Sequence, residues 1–334
     1  MVTWRERDFL AEQDCTADEL KDLLDHAAWL KAQRRAVGAT QVRQRLVGRQ
    51  LAVVLAKTST RTRLAFEVAM RELGGGVSVL DATTSQLGHK ESIADTARVL
   101  AGMVDAIAYR GGDQAEVEEL ARYADVPVFN ALSDQWHPTQ MLADFLTMTE
   151  FVSGPPRYAF VGDARSNMGN SLLMMGAIMG ADVRLVAPRA LWPTDEVRQA
   201  AELRAQASGA TLLLTEDVAS GVADVDFVHT DVWVSMGEAR EVWDERVNLL
   251  RPYRVDTTVM NQTGKRSTKF MHCLPAYHDQ QTTVGRQIAA AYGLADGVEV
   301  SNEVFESANS VVFQQAENRL HTIKALLDRT LGDP

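Results

Sequence analysis

The feature that most limits the fold of this chain is an alternation repeated along nearly its whole length. A short apolar run is followed by a polar turn, a helical segment and a glycine or turn, and then the cycle restarts. QLAVVLA at 50–56 opens the series, followed by KTSTRTR and the helical stretch LAFEVAMRELGGG, which closes on Gly74 to Gly76 as a C-cap. VSVLDA, AIAYRG and VPVFNA start at Val77, Ala106 and Val126. YAFVGDA, VRLVAP, TLLLTED, DFVHTDVW and KFMHCLP continue the pattern beyond residue 157. Apolar runs with little alternation suit strands buried on both faces, and consecutive parallel strands need a crossover helix. The order therefore predicts an α/β protein whose mainly parallel sheets are flanked by helices.

Length and composition bound this further. A chain of 334 residues exceeds the size at which single cores stop growing, about 250–300 residues, so two domains are expected. Gly154-Pro155-Pro156 within FVSGPPR (151–157) stops a helix expected from near His137, which predicts domains at 1–150 and 151–317. Before the first strand, Thr16-x-x-Glu19 is a capping box opening a helix with Leu20, Leu23, Leu24, Ala27, Ala28 and Leu30 at helical spacing. Residues 318–334 read as a terminal amphipathic helix that could pack on either domain. The 34 basic and 45 acidic side chains leave a formal charge of −11, which argues against nucleic-acid or anionic-membrane partners. A few local arginines could still hold a small anion. Two cysteines make no disulfide framework and suggest a reducing compartment. The opening MVTWRERDFLAEQDC lacks the apolar core of a signal peptide, and no apolar window reaches membrane-spanning length. A soluble, cytoplasmic protein is expected.

Four strand ends carry chemistry. Ser59-Thr60-Arg61-Thr62-Arg63 lies between a strand and a helix. Unpaired amides at a helix start, hydroxyls and a guanidinium fork together suit a phosphate. Its plain alternative is a helix cap with two solvated arginines. His137-Pro138-Thr139-Gln140 opens a helix with proline at the first position, and His137 and Gln140 could point the same way. Gly162-Asp163-Ala164-Arg165-Ser166-Asn167-Met168-Gly169 does not have dinucleotide-loop spacing, so nicotinamide binding is not expected. Asp231-Val232-Trp233-Val234-Ser235-Met236-Gly237 and His272-Cys273-Leu274-Pro275 follow two further strands. Neighbouring side chains on a strand face opposite ways, so His272 is expected to be poorly placed to activate Cys273. The Cys/His set also lacks structural-zinc spacing.

Taken in order, these motifs resemble those of the aspartate/ornithine carbamoyltransferase family, and its ornithine branch in particular. The resemblance rests on STRTR at 59–63, SQLGHKES at 85–92, HPTQ at 137–140, GDARSNMGN at 162–170, DVWVSMG at 231–237, HCLPA at 272–276 and AENRLHTIKA at 316–325. It implies that the first domain binds carbamoyl phosphate, the second binds L-ornithine, and the final helix returns to the first domain. By that resemblance Ser59, Thr60, Arg61 and Thr62 hold the phosphate. Gln86 is supplied to a neighbouring subunit, which implies a homotrimer or a multiple of it. Arg110, His137 and Gln140 contact the carbamoyl carbonyl and phosphate. Asn167, Asp231, Ser235 and Met236 contact ornithine, while Cys273, Leu274 and Arg319 complete the surroundings of the carbamoyl group and the reacting amine. Arg110, His137, Asp231 and Cys273 are the expected catalytic set.

The expected reaction is attack of the ornithine δ-amine on the carbamoyl carbon, a tetrahedral oxyanion, and loss of phosphate to give citrulline. It calls for positioning and electrostatics rather than a cofactor or a metal. Carbamoyl transfer to another amine, such as putrescine or a modified ornithine, is the rival reading, and the intact DVWVSMG disfavours it. The chain departs from the family's usual pattern before STRTR, where LAKT replaces an aromatic and an acidic residue. It departs also at Ala108 and at Gln314, where polar and acidic residues are common. None of these positions belongs to the expected catalytic set.

Overall fold

The computed structural model describes residues 4–38, 43–81, 91–234 and 240–332. The chain forms two compact units, Met1–Thr147 with Ala316–Pro334, and Met148–Gln315. The first contains α1 (Ala17–Val37), β1 (Gln50–Leu55), α2 (Thr60–Glu72), β2 (Gly76–Asp81), α3 (Ile93–Ala101), β3 (Ala106–Arg110), α4 (Gln114–Tyr123), β4 (Val128–Leu132) and nearly all of α5 (Pro138–Thr149). The second contains β5 (Arg157–Val161), α6 (Asn167–Met179), β6 (Asp182–Val186), α7 (Asp195–Ser208), β7 (Thr211–Thr215), α8 (Val218–Val222), β8 (Phe227–Thr230), α9 (Arg240–Leu250), α10 (Thr257–Gln262), β9 (Lys269–His272), α11 (Thr283–Tyr292) and α12 (Asn302–Phe305). The last helix, α13 (Val312–Leu331), starts in the second unit and places most of its length in the first.

Both sheets are wholly parallel, ordered β2-β1-β3-β4 and β7-β6-β5-β8-β9. Five consecutive residues of β1, Leu51 to Leu55, are buried, as a strand covered on both faces requires. In the first unit Ala52, Val54, Ile107, Tyr109 and Val128 pack with Ala97 and Leu100 of α3 and Val117 and Leu120 of α4. In the second, Val161, Val228 and Phe270 share a core with Val247, Tyr253 and Ile288. Short apolar runs thus became strands because helices cover both faces.

Local signals held in detail. Thr16 accepts from Glu19 N while the Glu19 side chain accepts from Thr16 N, closing the expected capping box. The glycines after α2 divide their work. Gly74 turns the chain at φ +87°, and Gly76 already belongs to β2. The helix expected from near His137 runs Pro138–Thr149. Among the described residues, no helix is long and apolar enough to cross a membrane.

Buried polar pairs fasten α13 within the first unit. Asn318 Nδ2 donates to Thr147 Oγ1 at 2.9 Å, and Lys31 Nζ donates to Asn318 Oδ1 at 2.6 Å. Lys324 pairs with Glu72, which Arg34 also reaches at 2.9 Å. Asp328 takes His26 at 2.7 Å and Arg45 at 2.5 Å. Removing one member of such a set would leave a buried charge uncompensated, which is costlier than losing an exposed pair.

Two buried histidines make stability depend on pH. Burial, with His272 nearby, pushes His229 down to about 3, and burial pushes His321 down to about 4 against the opposing pull of Glu317. Both values lie below the unfolded one, near 6.5, so the unfolded chain binds more protons as pH falls. The stability is complete above about pH 6.5 and is lost as pH drops towards 4 and then 3. Each histidine should cost on the order of 1 kcal/mol per pH unit within that window. Urea unfolding at pH 7, 6 and 5 should show the loss, and His229→Gln should flatten the slope relative to the parent chain.

Candidate active site

In the first unit, the side chains expected to hold an anion gather around one hydroxyl. Ser59 caps α2 by accepting from Thr62 N at 3.2 Å, leaving Thr60, Arg61 and Thr62 on its first turn, at the positive end of the helix dipole. Thr62 is buried, and its Oγ1 accepts from Arg319 Nη2 at 3.1 Å and Arg110 Nη1 at 3.4 Å. Arg110 ends β3 opposite Leu55 of β1, so it stands at the carboxyl edge of the sheet, where ligands of open α/β sheets bind. Arg319 comes from α13. Its Nη1 donates to Gln140 Oε1 and lies 3.3 Å from His137 Nε2. Thr62, Arg110, His137, Gln140 and Arg319 therefore form one connected group, with Arg61 close enough to act electrostatically on His137.

His137 is not a cation here. Burial, reinforced by Arg319, Arg110 and Arg61, holds it well below its ordinary value. A neutral ring facing an arginine N–H through Nε2 accepts there and carries its proton on Nδ1. A charged His137 is disfavoured, since three guanidiniums nearby make a fourth positive charge costly.

The second unit gathers its own set. Ser166 caps α6 by accepting from Gly169 N at 3.2 Å, which puts half-buried Asn167 at the first helical position. Asp231 follows β8 directly and Cys273 follows β9 directly. Thr230 pairs with His272 in the ladder, so the two residues beyond emerge side by side, and Cys273 Sγ lies 3.2 Å from Asp231 Oδ1. Burial raises the Asp231 carboxyl, opposed by His272, the Cys273 thiol and the Val232 amide. Asp163 pairs with Arg246 of α9 at 2.8 Å, and its Oδ1 accepts from Arg165 N at 3.1 Å, which shapes the loop leading to Asn167.

Beyond β9 the chain around His272 and Cys273 leaves strand geometry. The strand ends at His272, and Leu274 takes φ +62°, so strict face alternation stops where it was invoked. His272 Nδ1 accepts from Leu274 N at 2.9 Å, and its Nε2 lies 3.3 Å from the buried Glu299. Glu299 in turn accepts from Tyr277 N at 2.6 Å. A donor atom from each of Asp231, His272 and Cys273 lies within 4.8 Å of the others, so these three could hold a metal ion despite lacking a zinc-like spacing. His272 serves the loop through backbone contacts, with Leu274 turned into a conformation rare for a branched side chain.

Gln86, Ser235 and Met236 lie outside the described residues. Four residues of the two sets were not singled out from sequence: Asp144, which accepts from Gln140 Nε2 at 2.7 Å, and Glu299, Asp163 and Arg246. Asp144 left a signal in its position one turn after Gln140 on the same helix, and Asp163 in its place within GDARSNMGN. Of the departures, Ala108 is buried inside β3, and Gln314 pairs with Glu150. Gln315, beside it, accepts from His272 N at 2.9 Å.

Comparison with known proteins bears on both units. Residues 7–150 match the family model described as the carbamoyl-P binding domain of aspartate/ornithine carbamoyltransferase, and 156–330 match its Asp/Orn binding domain. The chain is 54% identical over 332 residues to the catabolic ornithine carbamoyltransferase of Rhizobium meliloti (strain 1021), covering 98% of each. It is 54% identical over 331 residues to the catabolic enzyme of Pseudomonas putida, again with 98% of each covered. Among solved structures, ornithine carbamoyltransferase from Pyrococcus furiosus matches with TM-score 0.88 at 40% identity over 99% of both chains. With both halves matched in order and identity sustained along the chain, the protein belongs to the aspartate/ornithine carbamoyltransferase family.

Proposed function

We propose that the protein transfers the carbamoyl group of carbamoyl phosphate to the δ-amine of L-ornithine, giving L-citrulline and phosphate. The observation that carries this reading is the buried group in the first unit. Two guanidiniums share the Thr62 hydroxyl at the start of α2, beside a histidine held neutral. Such a group suits a small dianion with a carbonyl attached, and the relatives named above are ornithine carbamoyltransferases.

In this proposal Ser59, Thr60, Arg61 and Thr62 take the phosphate oxygens with the α2 amides, and Arg319 closes on the same anion. Arg110 and His137 face the carbonyl oxygen, where negative charge develops. A neutral His137 acts there through hydrogen bonding, so the formal positive charge comes from the arginines. Gln140 takes the carbamoyl amide. In the second unit Asp231 holds an ammonium of ornithine, and Asn167, Ser235 and Met236 complete its contacts. Cys273 and Leu274 offer sulfur and carbonyl groups to the reacting amine and carbamoyl group. The C–N bond forms first and gives the tetrahedral oxyanion; its collapse breaks the C–O bond to phosphate, and the departing phosphate accepts the amine proton.

Ordering two substrates together supplies roughly 7–11 kcal/mol, and one donor aimed at the oxyanion about 2.7–4 kcal/mol. Against this stands the free amine. An alkyl amine titrating near 10.4 costs about 4–5 kcal/mol to deprotonate at pH 7. The proposal includes assembly as a homotrimer or a multiple of it, with Gln86 serving a neighbouring subunit, and a cytoplasmic setting that fits two cysteines not joined in a disulfide. A native mass that is a multiple of three 36.8 kDa chains is the result expected for the assembly.

Arg61→Ala should lower kcat/KM by about 10²–10³ while leaving circular dichroism and the melting temperature near those of the parent. Near-normal turnover in that variant would remove Arg61 from the phosphate site. Turnover under saturating substrates should climb from pH 6 to pH 9 as the free amine grows. No separate limb should belong to His137, because its folded value lies well below the ordinary histidine range. A flat profile would exclude rate-limiting use of the free amine. Assayed against a panel of amines, ornithine should give the fastest carbamoylation; equal use of putrescine would reassign the acceptor.

A further inference from the structure

Asp144 sits one turn beyond Gln140 on α5, and both side chains are buried, at 0% and 1% exposure. Its Oδ1 accepts from Gln140 Nε2 at 2.7 Å. On the other side, Arg319 Nη1 donates to Gln140 Oε1. A primary amide is nearly symmetric in shape, so rotation about its last bond exchanges donor and acceptor ends with little change in packing. A carboxylate only accepts and a guanidinium only donates. Between these two groups Gln140 has one compatible orientation: NH₂ towards Asp144, oxygen towards Arg319.

That orientation matters for what the site can tell apart. A carbamoyl group and an acetyl group have almost the same size, but the first presents N–H donors where the second presents a methyl group. An amide oxygen facing this position hydrogen-bonds the carbamoyl nitrogen and gains nothing from a methyl. The reverse orientation would set donor against donor. A site built around a hydrogen bond rejects the analogue lacking it because its own buried polar group is then left unsatisfied.

We propose that Asp144 is a positioning residue that sets substrate specificity, since by fixing the Gln140 amide with its oxygen towards the anion site it makes the protein select carbamoyl phosphate over acyl phosphates of the same shape. Asp144 does not touch the substrate and acts only through Gln140. The inference rests on the assignment of carbamoyl phosphate to the Thr62, Arg110, His137 and Arg319 group.

The test compares KM for carbamoyl phosphate with Ki for acetyl phosphate as competitive inhibitor, using the full chain. In Asp144→Ala and Asp144→Leu the ratio of Ki to KM should fall by about tenfold, Asp144→Leu serving as a second, larger apolar variant in case the smaller one does not fold. Asp144→Asn, whose Oδ1 still accepts from Gln140, should hold the ratio within about threefold of the parent. Gln140→Ala should lower it as much as Asp144→Ala, and combining the two should add nothing. A merely structural role would lower the melting temperature without moving the ratio. If Gln140→Ala lowers the ratio and neither Asp144→Ala nor Asp144→Leu does, the inference is overturned and the site assignment stands. If Gln140→Ala leaves the ratio untouched, the assignment of Gln140 to the carbamoyl amide fails as well.

Discussion

A buried guanidinium must find acceptors, and that requirement organises the first unit. Arg319 is 3% exposed and reaches Thr62 and Gln140, with His137 at 3.3 Å. Desolvating such a charge costs several kcal/mol unless its N–H groups are met. The start of α2, the start of α5 and the middle of α13 are therefore held in one arrangement. The pairs Lys31–Asn318, Lys324–Glu72 and Asp328 with His26 and Arg45 carry the same constraint along α13. An anion entering this group would meet donors already oriented, which is how electrostatic stabilisation avoids reorganisation during reaction.

Parallel topology supplies the second constraint. Every strand of a parallel sheet sends its carboxyl end to one edge, so the residues just beyond the strands are brought together whatever their distance in sequence. Arg110 closes β3 against Leu55 of β1, and α2 opens a few residues later. In the second sheet the ladder pair Thr230 and His272 delivers Asp231 and Cys273 side by side. The chemistry sits in the turns, while the buried strands hold those turns in register.

Much of this was legible in the chain. The β1 run, the capping box at Thr16 and the proline start of α5 are local signals that the structure follows. Short runs such as YAFV and KFMH marked strands because β-branched and aromatic residues fit a covered sheet. The turns after them marked where polar side chains collect. Periodicity says least about strand ends. His272 was read by strand alternation, but β9 stops there and Leu274 turns the chain, so ring and thiol come near the same carboxylate.

The sequence by itself determined the alternation that makes two parallel sheets, the strand ends that carry the motifs, and the family those motifs belong to. These are local or ordered properties, written in neighbouring residues. Tertiary structure alone decided that His137 is neutral, that Arg319 meets it across 182 residues of chain, and that Glu299 stands against His272. It also decided that Gln140 is fixed between Asp144 and Arg319. Protonation and amide orientation depend on what burial places within a few ångströms, and spacing along the chain carries no measure of that distance.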